Sequence, residues 1–467
     1  MPLTPQAIES LRGTIASDIS RVRTELETLI RIPSIAFPGY PDAPVREAAA
    51  EVVRLLRDAG AADPVLLTTS TGSQAVYAEI PGPRGAPTVL LYAHYDVQPP
   101  GDEGAWLSEP FDPVVREGRL YGRGAADDKS GVVMHAALLR AFNGAPPCTL
   151  RIVVEGDEEV GGTLDAYARE HPDLFHADAM VIADTGNLRI GEPTFSTTLR
   201  GFAEVYVEVQ TLSGPMHSGM FGGPAPDAVM VLIRLLNSLW DADGNAAVAG
   251  VFGYEWDGAD YPEDEYRDLA GLGADVPLTG SGSLSSRLFS QPVITVVGLD
   301  APAVATAPNA LPHIARAKVS MRVPPGVDSA KARDHLLAHL RANQPYGVTV
   351  TLTPGDNGDG LVVPTGGPAY DAARRALVAA YVQDVVEIGV GGSIPLVSVL
   401  HELVPHAELL LFGAQDPKAK IHAPNESVDL GELESAVLAQ ALFIAEYAED
   451  AKHTESAEYA EHPKSKG

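Results

Sequence analysis

The sequence contains a single cysteine, Cys148, and no long uncharged apolar run. One cysteine excludes a disulfide framework within the chain, so we expect a protein of a reducing, cytoplasmic compartment. The N-terminal residues show no basic segment followed by an apolar run, so we expect no secretory signal peptide. No apolar stretch approaches the roughly 20 residues that a membrane-spanning helix needs, so a membrane location is not expected.

Positive charge is also scarce. Lysine and arginine together number 33 against 62 acidic residues, which gives a net charge of −29 at pH 7. Nucleic acids and anionic membranes attract clustered basic side chains, so neither is an expected partner. The hydrophobic content of 45% predicts a globular chain, and a length of 467 residues predicts more than one domain.

Apolar runs and helical patterns alternate along much of the chain, which predicts an α/β fold with a mostly parallel central sheet. Between them, the order β-α-β-β-α-β predicts a ferredoxin-like α+β insert. We therefore expect a larger domain of residues 1–191 and 359–467, interrupted by a smaller domain of residues 192–358. The four buried strands predicted for the larger domain lie at 88–97, 148–156, 177–185 and 406–414.

Histidine and acidic residues come after each of these four strands. Because parallel strands bring their carboxyl ends to one edge of a sheet, we expect these side chains to share a rim. Each motif alone is more often a solvated loop, and only their joint placement favours a site. The residues are His94, Asp96, Glu155, Asp157, Glu158, Glu159, Asp184 and His422.

Imidazole and carboxylate groups together suit zinc, manganese or cobalt. A site with two metal ions needs a bridging carboxylate, and Asp127, beside Asp128 in the turn YGRGAADDKS, is the candidate. Such a hydrolytic site also needs a base that is not a ligand, and Glu158 and Glu159 could divide these two tasks. The alternative is that the two aspartates form a solvated surface turn.

Six motifs, taken in order, resemble the M20 metallopeptidase family, most closely its carnosinase-like and cytosolic non-specific dipeptidase branch. The resemblance implies a zinc-peptidase-like catalytic domain that hydrolyses dipeptides or similar small amides. It also implies that the insert is a lid and the dimerisation domain of a homodimer. The motifs are AHYDVQP (93–99), WLSEPFDPVVREGRLYGRGAADDKSG (106–131), EGDEEVGG (155–162), MHSGMFGG (216–223), GGSIP (391–395) and HAPNES (422–427).

The same resemblance implies a set of ligands for two divalent metal ions per chain. His94 and Asp184 would bind one ion, Glu159 and His422 would bind the other, and Asp127 would bridge both. Zinc is favoured, with manganese and cobalt as alternatives.

Three further features follow from the resemblance. Asp96 would orient the metal-binding ring of His94. Glu158 would act as general base and general acid. The peptide bond between Asp127 and Asp128 would be cis.

For the insert, the resemblance implies residues that contact the substrate. His217 would stabilise the oxyanion, and in dimeric relatives this histidine reaches the partner subunit's site. Arg322 would bind the substrate carboxylate, for which guanidinium geometry is suited. Asn309, Gly392 and Ser393 would hold the peptide.

Other functions remain open at this point. Many relatives have Arg-Glu where this chain has Gly389 and Val390, so an N-acyl amino acid deacylase, a carboxypeptidase or a desuccinylase of the same family is an alternative. A catalytically silent binding or scaffold protein is a further one. Silent relatives should have lost Glu158 or a ligand, and none of these residues is missing.

Overall fold

The computed structural model describes residues 2–392 and 394–461, and the chain divides into two compact units. Unit 1 consists of Met1–Thr197, Val363–Glu387 and Ile394–Gly467, and unit 2 of Thr198–Val362 and Ile388–Ser393. The sequence-based division at 192–358 lies close to this one but lacks the short return segment of unit 2. Within the described residues, no helix has both the length and the apolar character that crossing a membrane requires.

Helices and strands alternate through most of the described chain. The helices are α1 Pro5–Ile30, α2 Asp42–Asp58, α3 Lys129–Ala141, α4 Leu164–Glu170, α5 Ser218–Phe221, α6 Ala228–Asn237, α7 Glu263–Ala270, α8 Leu284–Phe289, α9 Ser329–Ala342, α10 Pro368–Tyr381, α11 Pro395–Leu403 and α12 Leu430–Glu461. The strands are β1 Val65–Thr68, β2 Gln74–Ile80, β3 Thr88–His94, β4 Val114–Arg116, β5 Arg119–Tyr121, β6 Thr149–Glu155, β7 Ala179–Ile182, β8 Thr194–Leu199, β9 Gly201–Gln210, β10 Met216–His217, β11 Val293–Asp300, β12 Ala310–Leu311, β13 Ile314–Val323, β14 Val350–Gly358, β15 Leu361–Val362, β16 Val386–Val390, β17 Glu408–Leu411 and β18 Ser427–Asp429.

The main sheet of unit 1 has the strand order β1-β2-β6-β3-β7-β17. β6, β3, β7 and β17 are parallel to one another, whereas β1 and β2 are antiparallel to their neighbours. All four parallel strands correspond to the apolar runs in the sequence, as expected for strands buried on both faces. The sequence patterns do not predict β1, because it has four residues and only Leu67 among them is buried.

A buried helix, α3, packs between this sheet and the outer helices of unit 1. All residues from Lys129 to Leu139 are buried, so every face of this helix is covered by other parts of the protein. Asp128 is the N-cap residue, and its carboxylate accepts a hydrogen bond from the N–H of Gly131 at 3.2 Å. The acidic turn that precedes α3 is therefore fixed at the N-terminus of a core helix rather than exposed on the surface.

Unit 2 contains a four-stranded antiparallel sheet with the order β11-β13-β9-β14. In chain order, α6 connects β9 to β11 and α9 connects β13 to β14, which is the split β-α-β topology expected from the sequence. Alternate residues of β9 and β13, such as Val205 and Val319, join both helices in a separate hydrophobic core. The other face of this sheet carries the polar residues of the alternating pattern.

Candidate metal centre

The carboxyl ends of the parallel strands meet along one edge of the unit 1 sheet. β3 ends at His94, which pairs directly with Glu155 at the end of β6. β7 ends at Ile182, two residues before Asp184, and lies on the other side of β3. The parallel order therefore forms the rim that the sequence predicts.

The first group of side chains at this rim is cluster 1, formed by His94, Asp127 and Asp184. The Nε2 atom of His94 lies 2.9 Å from Oδ1 of Asp127 and 3.9 Å from Oδ1 of Asp184. The His94 side chain has no solvent exposure. An imidazole nitrogen and two carboxylate oxygens thus converge at a buried point.

The second group is cluster 2, formed by Asp127, Glu159 and His422. The Nε2 atom of His422 lies 2.9 Å from Oδ2 of Asp127 and 3.2 Å from Oε2 of Glu159. Within each cluster the candidate ligand atoms all lie within 4.8 Å of one another. Asp127 belongs to both clusters, and its two oxygens face two different histidines.

This donor set fits a pair of divalent cations. Each cluster combines an imidazole nitrogen with carboxylate oxygens, the ligands that zinc, manganese and cobalt accept. Burial alone would lower the pKa of His422, but hydrogen bonds to Asp127 and Glu159 raise it to about 10. Burial, and then the charge of Asp127, raise the pKa of Asp184 well above its usual range. Carboxylates contribute to both shifts, and their concentration stabilises a positive charge placed at either cluster.

Asp96 connects His94 to the turn that follows β6. Oδ1 of Asp96 lies 3.4 Å from Nδ1 of His94, on the side of the ring away from the clusters. The same carboxylate accepts hydrogen bonds from the backbone N–H groups of Glu158 at 3.1 Å and Glu159 at 3.0 Å. One side chain thus orients both an imidazole and the acidic turn.

Glu158 lies in the 3₁₀ turn Glu158–Val160 and belongs to neither cluster. Burial raises the pKa of Glu158 to about 8, a shift that His94 opposes and that Asp96 supports. Bound cations would act in the opposite direction and favour the carboxylate. A group with these properties can accept and return a proton near neutral pH.

The turn that carries Asp127 has an unusual backbone. The peptide bond between Asp127 and Asp128 is cis, as the resemblance implies. The Asp128 carboxylate also accepts a hydrogen bond from the N–H of His94 at 3.3 Å. Asp128 therefore links α3 to β3, while Asp127 faces the two clusters.

Glu426 fixes the same turn and is not identified from the sequence. Its buried carboxylate accepts hydrogen bonds from Arg123 Nη1 at 2.6 Å and from the N–H groups of Gly124, Ala126 and Asp127 at 3.0–3.1 Å. Glu426 lies within the motif HAPNES, but the sequence does not show which backbone N–H groups its carboxylate will contact. Tertiary structure alone assigns this role.

Two glutamine side chains orient candidate ligands and are likewise not identified from the sequence. Gln415 Nε2 donates to Oδ1 of Asp184 at 2.9 Å, and Gln98 Nε2 donates to Oε2 of Glu159 at 2.7 Å. Gln98 lies in the AHYDVQP motif and Gln415 follows β17. Their positions beside strand ends are the only signal that the sequence offers.

The remaining predicted residues belong to unit 2, except that Ser393 lies outside the described residues. His217 ends β10 and is exposed, and its Nδ1 accepts a hydrogen bond from the N–H of Gly219 at 3.2 Å. His217 pairs with Ala310 across β10 and β12, and Asn309 directly precedes Ala310. Arg322 lies on β13, and Gly392 follows β16.

Comparison with known proteins gives concordant matches. The family model for peptidase family M20/M25/M40 matches residues 90–446. Cysteinylglycine-S-conjugate dipeptidase of Corynebacterium striatum is 38% identical over 370 residues, which cover 78% of this chain and 81% of that protein. Human carnosine dipeptidase 1 has the same fold, with a TM-score of 0.83, 22% identity, and coverage of 96% of this chain and 100% of that one. The dipeptidase Dug1p of Saccharomyces cerevisiae also gives a TM-score of 0.83 at 22% identity, covering 96% of this chain and 99% of that one.

Replacement of Asp127 should remove both metal sites, because its two oxygens serve both clusters. For Asp127→Ala we expect the metal content to fall from about two ions per chain to nearly none, and for His422→Ala to about one. The content is measured by elemental analysis after reconstitution with zinc, manganese or cobalt and exhaustive dialysis. His171→Ala, an exposed histidine outside both clusters, should retain the full content. An Asp127→Ala protein that keeps two ions would show that the clusters do not share a bridge.

Removal of the Glu426 carboxylate should destabilise unit 1, because the buried Arg123 guanidinium would lose its partner. We expect Glu426→Ala to lower the free energy of unfolding by about 3–5 kcal/mol. Urea denaturation in the presence of a chelator measures this change without a contribution from metal binding. The control is Glu9→Ala, which breaks a surface pair with Arg12 at 3.4 Å and should cost less than about 1 kcal/mol. Equal effects of the two substitutions would contradict the assigned role.

Proposed function

The chain belongs to peptidase family M20/M25/M40, and from this premise we propose that it is a metal-dependent dipeptidase whose centre is formed by clusters 1 and 2. The observation that carries the proposal is the division of Asp127 between His94 and His422, each at 2.9 Å. The 38% identical relative is a cysteinylglycine-S-conjugate dipeptidase. Cysteinylglycine and its S-conjugates are therefore the first substrates to test.

The proposed metal ligands follow the two clusters. His94 and Asp184 hold one ion, Glu159 and His422 hold the second, and Asp127 holds both. Zinc is the preferred assignment, with manganese and cobalt as alternatives, because the donors are imidazole and carboxylate groups. When bound, the pair of cations supplies an activated water and polarises the scissile carbonyl group.

The chain's own residues supply the proton transfers. Glu158 accepts a proton from the attacking water and returns it to the leaving amine. Its carboxylate is available for this role because it belongs to neither cluster. The backbone carbonyl oxygen of Asp96 accepts the hydrogen bond of His94 Nδ1–H at 3.1 Å, and the Asp96 carboxylate lies 3.4 Å from the same nitrogen, so that the Nε2 lone pair is directed to cluster 1. The same carboxylate holds the backbone of Glu158 in place.

Unit 2 is proposed to be the lid and dimerisation domain of a homodimer. His217 stabilises the oxyanion, in its own site or in the partner's. Its Nδ1 already accepts a hydrogen bond, which leaves Nε2–H as the donor of an exposed ring. Arg322 binds the substrate carboxylate, and Asn309, Gly392 and Ser393 hold the peptide. The proposal includes a cytoplasmic location, which cell fractionation tests.

Replacement of the proposed base should abolish turnover without loss of metal. For Glu158→Gln we expect kcat on cysteinylglycine to fall by about 10²–10⁴-fold, because the amide cannot accept the proton. The metal content of the variant should remain that of the wild type. Both quantities are measured on the same preparation, together with the exposed control Glu170→Gln.

The outcomes of this experiment separate the alternatives. Wild-type turnover in a Glu158→Gln protein that retains its metal would exclude Glu158 as the base. A wild-type enzyme that cleaves N-acyl amino acids but no dipeptide would instead indicate a deacylase. Hydrolysis of neither class by the metal-loaded protein would favour the binding or scaffold function.

Action of His217 across the subunits of a homodimer can be tested by subunit mixing. A His217→Ala chain and a Glu158→Gln chain should each be nearly inactive alone. If the histidine reaches the partner's site, mixed dimers contain one complete site, and about a quarter of the wild-type activity should return after random exchange. Activity is measured after the exchange of differently tagged chains. No recovery in purified heterodimers would place His217 in the site of its own chain.

A further inference from the structure

One face of the unit 2 sheet carries charged side chains instead of a hydrophobic core. Alternate residues of β9 and β13 pack into the core with α6 and α9, so the residues between them lie on the opposite face. This polar face carries two acidic residues of β9, Glu204 and Glu208, and three basic residues of β13, Arg316, Lys318 and Arg322.

Both of these acidic residues of β9 are already paired. Lys318 Nζ lies 2.9 Å from Glu204 Oε1, and Arg316 Nε lies 2.6 Å from Glu208 Oε2. Arg322 has no hydrogen bond and no ion pair with any residue that the structure describes. Glu204, already paired with Lys318, acts on Arg322 through its charge alone, so the donors of this guanidinium make no hydrogen bond within the described residues.

A second guanidinium, that of Arg200, lies at the same end of the sheet. It is 8% exposed, and its Nε donates to the carbonyl oxygen of Gly391 at 3.1 Å. Its Nη1 is 3.4 Å from the carbonyl oxygen of Arg287. Both partners are uncharged, and Arg200 forms no ion pair with a carboxylate in the part of the chain that the structure describes. Its Nη2 would lie 3.0 Å from a Cβ atom at position 391, so a larger residue there would press on the guanidinium.

The two arginines are close enough to repel each other. Arg322 pairs with Phe202 across β13 and β9, and Arg200 precedes Phe202 by two residues. Burial, and then the positive charge of Arg322, lower the pKa of Arg200 to about 10. Two like charges in a half-buried place are unfavourable unless an anion joins them.

We propose that Arg200 and Arg322 together bind a substrate with two carboxylates. Arg322 takes the α-carboxylate of a dipeptide, and Arg200 takes the side-chain carboxylate of a C-terminal Asp or Glu residue. This proposal rests on the proposed dipeptidase function and specifies its substrate class. One α-carboxylate neutralises one of the two guanidiniums, and a second carboxylate meets the donors that Arg200 has left unused.

The test compares Ala-Glu with Ala-Gln, which has the same shape and lacks the second charge. We expect the wild type to favour Ala-Glu by at least about tenfold in kcat/KM, and Arg200→Met to reduce this ratio by about tenfold or more, mainly through KM. Arg200→Lys keeps the charge but not the planar fork, so its ratio should be intermediate. Arg316→Met, which removes a paired arginine of the same face, should leave the ratio unchanged.

A binding measurement keeps this proposal separate from the dipeptidase function. Glutarate and its monoamide are titrated into protein treated with a chelator, and the shift of the melting temperature is recorded. Glutarate should stabilise the wild type more than the monoamide does, and Arg200→Met should remove the difference. This result is expected even if no dipeptide is cleaved.

Three outcomes would overturn the proposal. The first is an equal fall of kcat/KM for Ala-Glu and Ala-Gln in Arg200→Met, which would mean that both arginines hold one carboxylate. The second is a wild type that does not distinguish the two dipeptides. The third is equal stabilisation by glutarate and its monoamide. If Arg200→Met does not fold, Arg200→Lys gives the same comparison.

Discussion

Asp127 contacts two histidines at once, and the proposed chemistry depends on this double contact. Its oxygens lie 2.9 Å from His94 and 2.9 Å from His422, which follow different strands of the sheet. A carboxylate can serve two sites only if its backbone is held on both sides. Asp128 fixes the backbone on one side by capping α3. Glu426 fixes it on the other side through hydrogen bonds to the turn. The candidate metal centre therefore depends on a backbone turn that buried residues of unit 1 fix.

This arrangement gathers negative charge where water is largely excluded. Burial and nearby carboxylates raise the pKa of Asp184, whereas two histidines hold the pKa of Asp127 well below its usual range. Three carboxylate ligands against two dications would leave about one positive charge, so bound cations would offset the repulsion and keep electrophilic character. The buried pair of Arg123 and Glu426 fixes the turn, because Glu426 accepts hydrogen bonds from three of its backbone N–H groups and Arg123 also donates to the carbonyl oxygen of Pro99.

Much of this site is predictable from the sequence, since buried parallel strands read as continuous apolar runs and their carboxyl ends share one edge. The apolar pattern and the rule that parallel strands end at one edge are enough to predict that His94 and Asp184 lie at the rim. They do not identify Glu426 or Gln415, because the roles of these residues depend on contacts with distant backbone or side chains. The segment Ile388–Ser393 is also missed, since six residues carry no pattern that assigns them to unit 2. Arg200 is missed for a related reason, because an unpaired charge is visible only when every neighbour is known.

The division into two units has an electrostatic consequence. Unit 1 concentrates carboxylates that attract cations, and in unit 2 neither Arg200 nor Arg322 forms an ion pair with a carboxylate of the described residues. Within a single core these opposite charges would pair with each other, and neither would be available to a ligand. Each unit has its own hydrophobic core, which fixes the strands that carry its charged groups. The proposed dipeptide substrate carries both a polarisable carbonyl group and a carboxylate, and these are the groups that bound cations and guanidinium side chains respectively attract.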